Sequence, residues 1–295
     1  MSGHTHGSAE RNISFAFFLN LFFAIVELVG GLLTNSMAIL SDALHDFGDS
    51  LSLGVAWLLA RKSRQPRNKQ YTYGYKRFSL LGSIFLSGVL TLSSILVLIE
   101  SGKRIASPQE VSAEGMLWIA IFGVIVNGAA ALKVKQGHSL NERAVYLHIM
   151  EDVLGWIGVL AVSIVMLFVE VPMLDSLLSI GISLWVLSNV YKNLRDTFEV
   201  LLQATPKDVP VEELSARIQA LESVVSIHDL HLWSLDGASH VMSLHVVTAA
   251  NEVAPLKQAI VSLAQEYNIE HITVEFEGEG TLCLTNCDAT PPHIV

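Results

Sequence analysis

MAILSDALHDFGDSLSLGVAWLLA, residues 37–60, is the stretch on which the fold turns. As a helix rising 1.5 Å per residue it reaches about 36 Å, enough to cross a hydrocarbon core roughly 30 Å thick. It contains no proline, yet it places Asp42, His45, Asp46 and Asp49 within eight positions. At 100° per residue these four fall on a stripe about 100° wide. A charged side chain at the centre of a bilayer costs about 2.5–3.5 kcal/mol or more. The stripe must therefore face a cavity or another helix rather than lipid.

A second stripe answers the first. In HIMEDVLGW, residues 148–156, His148 and Asp152 stand one turn apart, with Glu151 beside them and Gly155 on the same side. Both stripes read His, three residues, Asp. Facing one another in a bundle, His45, Asp49, His148 and Asp152 would supply two imidazole nitrogens and two carboxylates, a tetrahedral set suited to Zn²⁺. Structural pairing would explain any one of these residues, but it does not require the same His/Asp pair on two helices. Asp42, Asp46 and Glu151 read as groups that line or support the ion path. Asn20, Glu27 and Asn127 read either as packing groups or as lining. Two carboxylates with neutral histidines carry a charge of minus two, which one Zn²⁺ or bound protons can neutralise. Protonating the histidines removes the lone pairs that hold a metal, so the two cargoes compete and proton-coupled zinc exchange is a mechanism the donor set could support by itself.

The rest of the chain supplies the bundle. Of its 295 residues 51% are hydrophobic and 16% charged, unusual for a soluble domain of this length. Six apolar stretches of spanning length precede residue 200: 13–34, 37–60, 78–99, 115–134, 144–169 and 173–191. Every proline lies outside them. The connection from Arg61 to Arg77 holds seven Lys or Arg, the next connection on that side adds Lys133, Lys135 and Arg143, and the opposite side offers Lys103 and Arg104. The positive-inside rule then places both termini in the cytoplasm. Residues 1–12, which lack the pattern of a cleaved signal, read as a flexible cytosolic segment. Residues 13–200 read as a six-helix transmembrane domain.

After Pro206 the pattern becomes that of a soluble domain, residues 206–280, followed by a Cys-containing tail, 281–295. Leu214, Ile218 and Leu221, then Leu256, Ile260 and Leu263, have helical spacing, and strand-like runs cover 225–234, 239–247 and 271–277. The order helix, strand, strand, helix, strand predicts a small ferredoxin-like α+β domain with two helices on one face of a three-stranded sheet. Residues 206–295 carry 13 acidic and 3 basic side chains, which repel nucleic acid and anionic lipid and gather cations. A hairpin turn centred on Ala238 sets His231 opposite His245 on the polar face of the sheet, where one metal could bridge them. The last strand puts His271 and Glu277 on that face, and Cys283 and Cys287 follow as two thiolates that suit zinc better than a disulfide in a reducing cytosol. His231, His245, His271, Glu277, Cys283 and Cys287 thus read as a binuclear cytosolic site with Glu277 as the bridge. His228 and His240 read as satisfied strand residues. His4 and His6 read as a metal-gathering arm, as groups that complete the cysteine site of a second protomer, or as a plain chain end.

The stretches NLFFAIVELVGGLLTNSMAILSDALHDFGDSLSL, YTYGYKRFSLLGSI and GHSLNERAVYLHIMEDVLGWIGV, with HDLHLW in the last domain, resemble the cation diffusion facilitator family. The His-xxx-Asp form resembles its zinc-transporting branch, of the bacterial zinc efflux type. The resemblance implies a homodimer in the bacterial inner membrane that exchanges cytosolic Zn²⁺ for protons by alternating access, with His45, Asp49, His148 and Asp152 as the transport ligands. It also implies a cytosolic zinc cluster, although Cys-xxx-Cys stands here where some members have Cys-xx-Cys. An ion pair between Arg77 or Lys76 and Asp196 is a further implication. The chain is read as a transporter and not an enzyme, with Cd²⁺, Co²⁺ and Ni²⁺ as further possible cargoes. A zinc-sensing membrane protein and an intramembrane zinc hydrolase are the alternatives. The hydrolase lacks an HExxH motif, and a closed four-ligand site leaves no position for an activated water.

Overall fold

The computed structural model describes residues 21–63, 65–134, 140–169, 171–250 and 252–280. Within these ranges it does not describe the side chains of residues 49, 52, 53, 56, 57, 60, 61, 130, 133, 134, 140–149 and 151. The chain divides into two compact units, Met1–Leu58 with Gly82–Leu194, and Leu59–Leu81 with Arg195–Val295.

The first unit is helical. Its helices are α1 (Leu21–Thr34), α2 (Met37–Ser63), α3 (Phe78–Ala106), α4 (Ala113–Val134), α5 (Leu140–Phe168) and α6 (Met173–Leu201), the ends of α2, α3 and α6 belonging to the second unit. Among the described residues α3 and α6 are long and apolar enough to cross a membrane, while Leu21–Thr34, Ala113–Ala129 and Asp152–Phe168 are shorter apolar helices. Leu33, Leu92, Ile125, Leu154 and Leu184 are exposed, one on each of five helices. A soluble bundle would bury such side chains; a lipid-facing one exposes them. Inside, Phe23, Ile39, Met116, Ala120, Trp156 and Val159 form one core, and Leu90, Val186 and Val190 a second between α3 and α6. The pairing of α4 with α5 depends on Gly123, where an added Cβ would lie 2.3 Å from Trp156 Cδ2. The fully buried indole fills the groove that the missing side chain leaves.

The second unit contains α7 (Val211–Gln219), β1 (Val224–Ser234), β2 (His240–Thr248), α8 (Ala254–Gln265) and β3 (Ile269–Glu277). The sheet order is β1-β2-β3, with β1 antiparallel and β3 parallel to β2. Leu214 and Ile218 of α7 and Leu256, Ile260 and Leu263 of α8 pack on Leu232, Met242, Leu244 and Val246. The helical and alternating periodicities thus place the two helices on one face and leave the histidines of β2 and β3 on the other, apart from His240, which is fully buried.

The hairpin register differs from the expected one in two steps. The turn centres on Gly237, not Ala238: its φ of 92° suits glycine, and Asp236 Oδ1 accepts hydrogen bonds from the backbone N–H of Ala238 (3.0 Å) and Ser239 (2.8 Å). Ser234 therefore pairs with His240, and His231 with Ser243. A bulge between His228 and His231 then shifts the ladder again, with Asp229 at φ 49°, so that His228 faces His245.

The expected ion pair is also replaced. Asp196 accepts from Lys207 Nζ at 2.7 Å, and Lys76 bonds instead to Glu270 and to Ser239 Oγ. Lys207 follows α6 closely enough to reach both Asp196 and Glu199, and these two acceptors hold its ammonium above the usual lysine range. The pairing is lost as pH rises through that raised value, and at the acid end as Asp196 and Glu199, both held below the usual carboxylate range by Lys207, take up protons.

Candidate metal sites

On α2 two carboxylates of the stripe are buried, as their chemistry requires. Asp42 and Asp46 are 7% and 3% exposed, and His45 is half-buried. Asp42 faces α5: a Cβ on Gly155 would sit 3.7 Å from its Oδ1. Asp152 lies one turn before Gly155 on that helix. Glu27 of α1 is fully buried, and Asp46, Asp42 and Asp152 are the charged groups around it. Three helices thus bring four carboxylates together in the bundle. Carboxylates at this density in a low-dielectric interior need cations, whether metal ions or protons, to offset their repulsion.

His45 looks in another direction. Its ring meets Trp185 of α6 edge-on at 6.4 Å, and it lines a small cavity with Ser41, Leu44, Leu90, Ser93 and Val186, between α2, α3 and α6. The backbones of Asp49 and His148 are helical, in α2 and α5, and their side chains lie outside the described residues. Glu27 is the member of this group that the sequence gives least reason to select. A lone acid in an apolar span identifies a polar position but not its partners.

In the second unit three strands each contribute one residue to a compact cluster. His245 Nδ1 lies 2.9 Å from Glu277 Oε1, His228 Nε2 lies 3.4 Å from Glu277 Oε2, and the two imidazole rings are 5.2 Å apart. One ligand atom from each of the three falls within 4.8 Å of the others. Asp229 Oδ2 and Glu275 Oε2 approach the other nitrogen, His245 Nε2, at 3.6 and 3.5 Å. Two nitrogens and a carboxylate oxygen in partly buried positions are a donor set that fits Zn²⁺, with the adjoining carboxylates to orient the ring.

The other cytosolic residues singled out from the sequence are placed differently. His231 is largely exposed and sits 3.0 Å from Asp229 Oδ1, pairing with Ser243, two residues along β2 from the expected partner His245. His271 pairs with Val241, and its ring meets Tyr73 at 5.3 Å. Six residues of strand, about 20 Å, separate it from Glu277, so one metal cannot join the two. Cys283, Cys287, His4 and His6 lie outside the described residues. His228, read from the sequence as a satisfied strand residue, takes the place expected for His231. The glycine at 237 signals the one-residue move of the turn, but that alone would set Asp229 opposite His245; the bulge at Asp229 then brings His228 there.

Residues 13–202 match the cation efflux transmembrane domain family, and residues 206–279 match the cytoplasmic domain of cation efflux proteins. The chain is 36% identical over 284 residues to the metal cation efflux system protein CzcD of Cupriavidus metallidurans, covering 94% of this chain and 90% of that protein. It is 32% identical over 288 residues to a cadmium, cobalt and zinc/H⁺-K⁺ antiporter of Bacillus subtilis, covering 94% and 93%. With the zinc transporter ZitB of Escherichia coli it shares 31% over 287 residues, covering 93% and 91%. A solved metal-bound C-terminal domain of the Cupriavidus transporter is 36% identical over 23% of this chain and 99% of that one, with a TM-score of 0.21. By the extent of these matches the chain belongs to the cation efflux family, a family of membrane metal transporters and not of enzymes.

Proposed function

We propose that this protein exports Zn²⁺ from the cytosol in exchange for protons, by alternating access, as a homodimer of six-span protomers with both termini in the cytoplasm. Cd²⁺ and Co²⁺, named in relatives, are further cargoes. Residues 13–200 form the transport domain and 206–280 the cytosolic one. His45, Asp49, His148 and Asp152 hold the metal in transit, the His45 ring turning from its place against Trp185 to join the others. The observation that carries this reading is the meeting of the polar faces of α2 and α5, where Asp42 lies against Gly155, with Asp152 one turn away and Glu27 among them.

The exchange follows from charge. Zn²⁺ on two histidines and two aspartates leaves the site neutral, so the loaded bundle can rearrange without exposing net charge to lipid. On the far side, protons that arrive at the imidazoles remove the lone pairs that hold the metal, and the site releases it. Two imidazolium groups beside two carboxylates leave the emptied site neutral as well, so it can return. In the cytosolic domain His228, His245 and Glu277 would hold a regulatory zinc, which crosslinks all three strands of the sheet and raises transport when cytosolic zinc is abundant.

Reconstitution tests the transport reading. Purified protein in liposomes takes up Zn²⁺, and Asp49→Asn or Asp152→Asn abolishes the uptake while cytosolic zinc binding remains. Zinc binding without any flux in the unaltered protein would refute transport and leave a sensor.

A further inference from the structure

Helix α2 begins in an unusual way. The first four N–H groups of a helix have no partner within it and must be satisfied from outside. Here the task is divided between two helices. Ser36, just before α2, accepts from the N–H of Ile39 through its Oγ at 3.2 Å, as an N-cap residue does. The N–H groups of Met37 and Ala38 are met from α6: Asp175 Oδ2 accepts from Met37 at 2.6 Å and Asp175 Oδ1 from Ala38 at 3.2 Å. Asp175 Oδ1 also accepts from Ser36 Oγ at 2.5 Å. Asp175 is fully buried, as are Ser36 and Ala38. A carboxylate in such a place is held by charge-assisted hydrogen bonds and by the positive end of the α2 dipole.

The contact lies at one end of the bundle and has company there. Arg104, in the last turn of α3, donates to Asn35 O (2.7 Å) and Asn35 Oδ1 (2.9 Å). Asn35, at φ 56°, donates through Nδ2 to Glu110 O at 2.9 Å, and the N–H of Ser112 donates to Thr34 O at 2.9 Å. The α1–α2 turn is thereby tied to α3, to the α3–α4 connection and to α6. Further along α6, Ser183 reaches Ser41 at 3.3 Å and Trp185 reaches the His45 ring. Asp175, Ser183 and Trp185 of α6 thus each touch α2, the first through a carboxylate. His45 is eight residues beyond Met37, about 12 Å down the helix axis.

We propose that Asp175 is a positioning residue for transport. By capping α2 from α6, it fixes the height and rotation of the helix that bears His45 and Asp49. A free helix end could slide or turn by part of a residue, and four ligands set for a tetrahedral metal do not tolerate that. The proposal rests on the transport site described above.

The test is Zn²⁺ uptake by reconstituted full-length protein carrying Asp175→Asn, which keeps the shape and removes the charge, or Ser36→Ala, which removes one donor. The readout is the division between KM and Vmax. A positioning role predicts a KM for Zn²⁺ raised about tenfold in Asp175→Asn, the equivalent of one charge-assisted hydrogen bond, with a smaller rise in Ser36→Ala. Asp175→Glu, which restores the charge, is expected to recover part of the loss. A merely structural role would lower Vmax through the fraction of active protein and leave KM unchanged, and an unchanged KM in both Asp175→Asn and Ser36→Ala overturns the proposal. Failure of the underlying site is seen separately, as unaltered transport in Asp49→Asn.

Discussion

His228 and His231 stand three residues apart on one strand and meet different surroundings. His228 faces His245 and Glu277; His231 is exposed beside Asp229. Truncating a metal ligand removes a bond to the metal, whereas truncating a neighbour removes at most an orienting contact. We expect His228→Ala to weaken zinc binding by the cytosolic site at least tenfold, and His231→Ala to change it by less than about twofold, since an exposed side chain outside the cluster has little to contribute. Isothermal titration of the full chain measures both, and equal losses would refute the assignment. The sequence shows that histidines gather on this face, because strand alternation places them there. It does not show which two meet. That depends on φ at Gly237 and on the left-handed backbone of Asp229, and neither follows from alternation. A one-residue shift changes every partner along a strand.

At the scale of elements, periodicity is more informative. The spacing of Leu214, Ile218, Leu256, Ile260 and Leu263 and the alternation in the strands yield the observed order of α7, β1, β2, α8 and β3, since each pattern reflects a buried face within one element. Approach between elements is less legible. Gly123 looks like any small residue in an apolar helix until Trp156 is found against it. A Cβ there would overlap the six-membered ring of the indole, and a rigid aromatic wedged between two helices cannot yield as a flexible chain end could. Gly123→Ala is expected to destabilise the bundle by about 1–3 kcal/mol through overpacking. Adding Trp156→Phe, which trims the indole, should recover part of that loss. Thermal unfolding in detergent compares the two variants. A Gly123→Ala protein as stable as the parent would mean that α4 and α5 do not pack so closely.

The whole molecule poses a problem of charge. Glu27, Asp42, Asp46 and Asp152 come from three helices, and no pattern within any one helix discloses that they meet. They make a bundle interior rich in carboxylates. Such an interior is tolerable in a membrane only if a cation is always at hand, and in the proposed exchange the cation between metal loads is the proton. In the proposed exchange, transport of Zn²⁺ and movement of protons are two halves of one cycle, and neither proceeds freely alone. Liposomes loaded with zinc-sensing dye, with the interior made acidic, should accumulate Zn²⁺ against its gradient. Collapse of the pH difference with nigericin should abolish accumulation and leave only equilibration. Reversing the pH difference should drive Zn²⁺ outward, because the exchange has no preferred direction apart from the gradients that act on it. Accumulation that persisted after the pH difference was removed would show that the interior is neutralised by another ion, and proton exchange would be refuted while the carboxylate cluster remained to be satisfied by that ion.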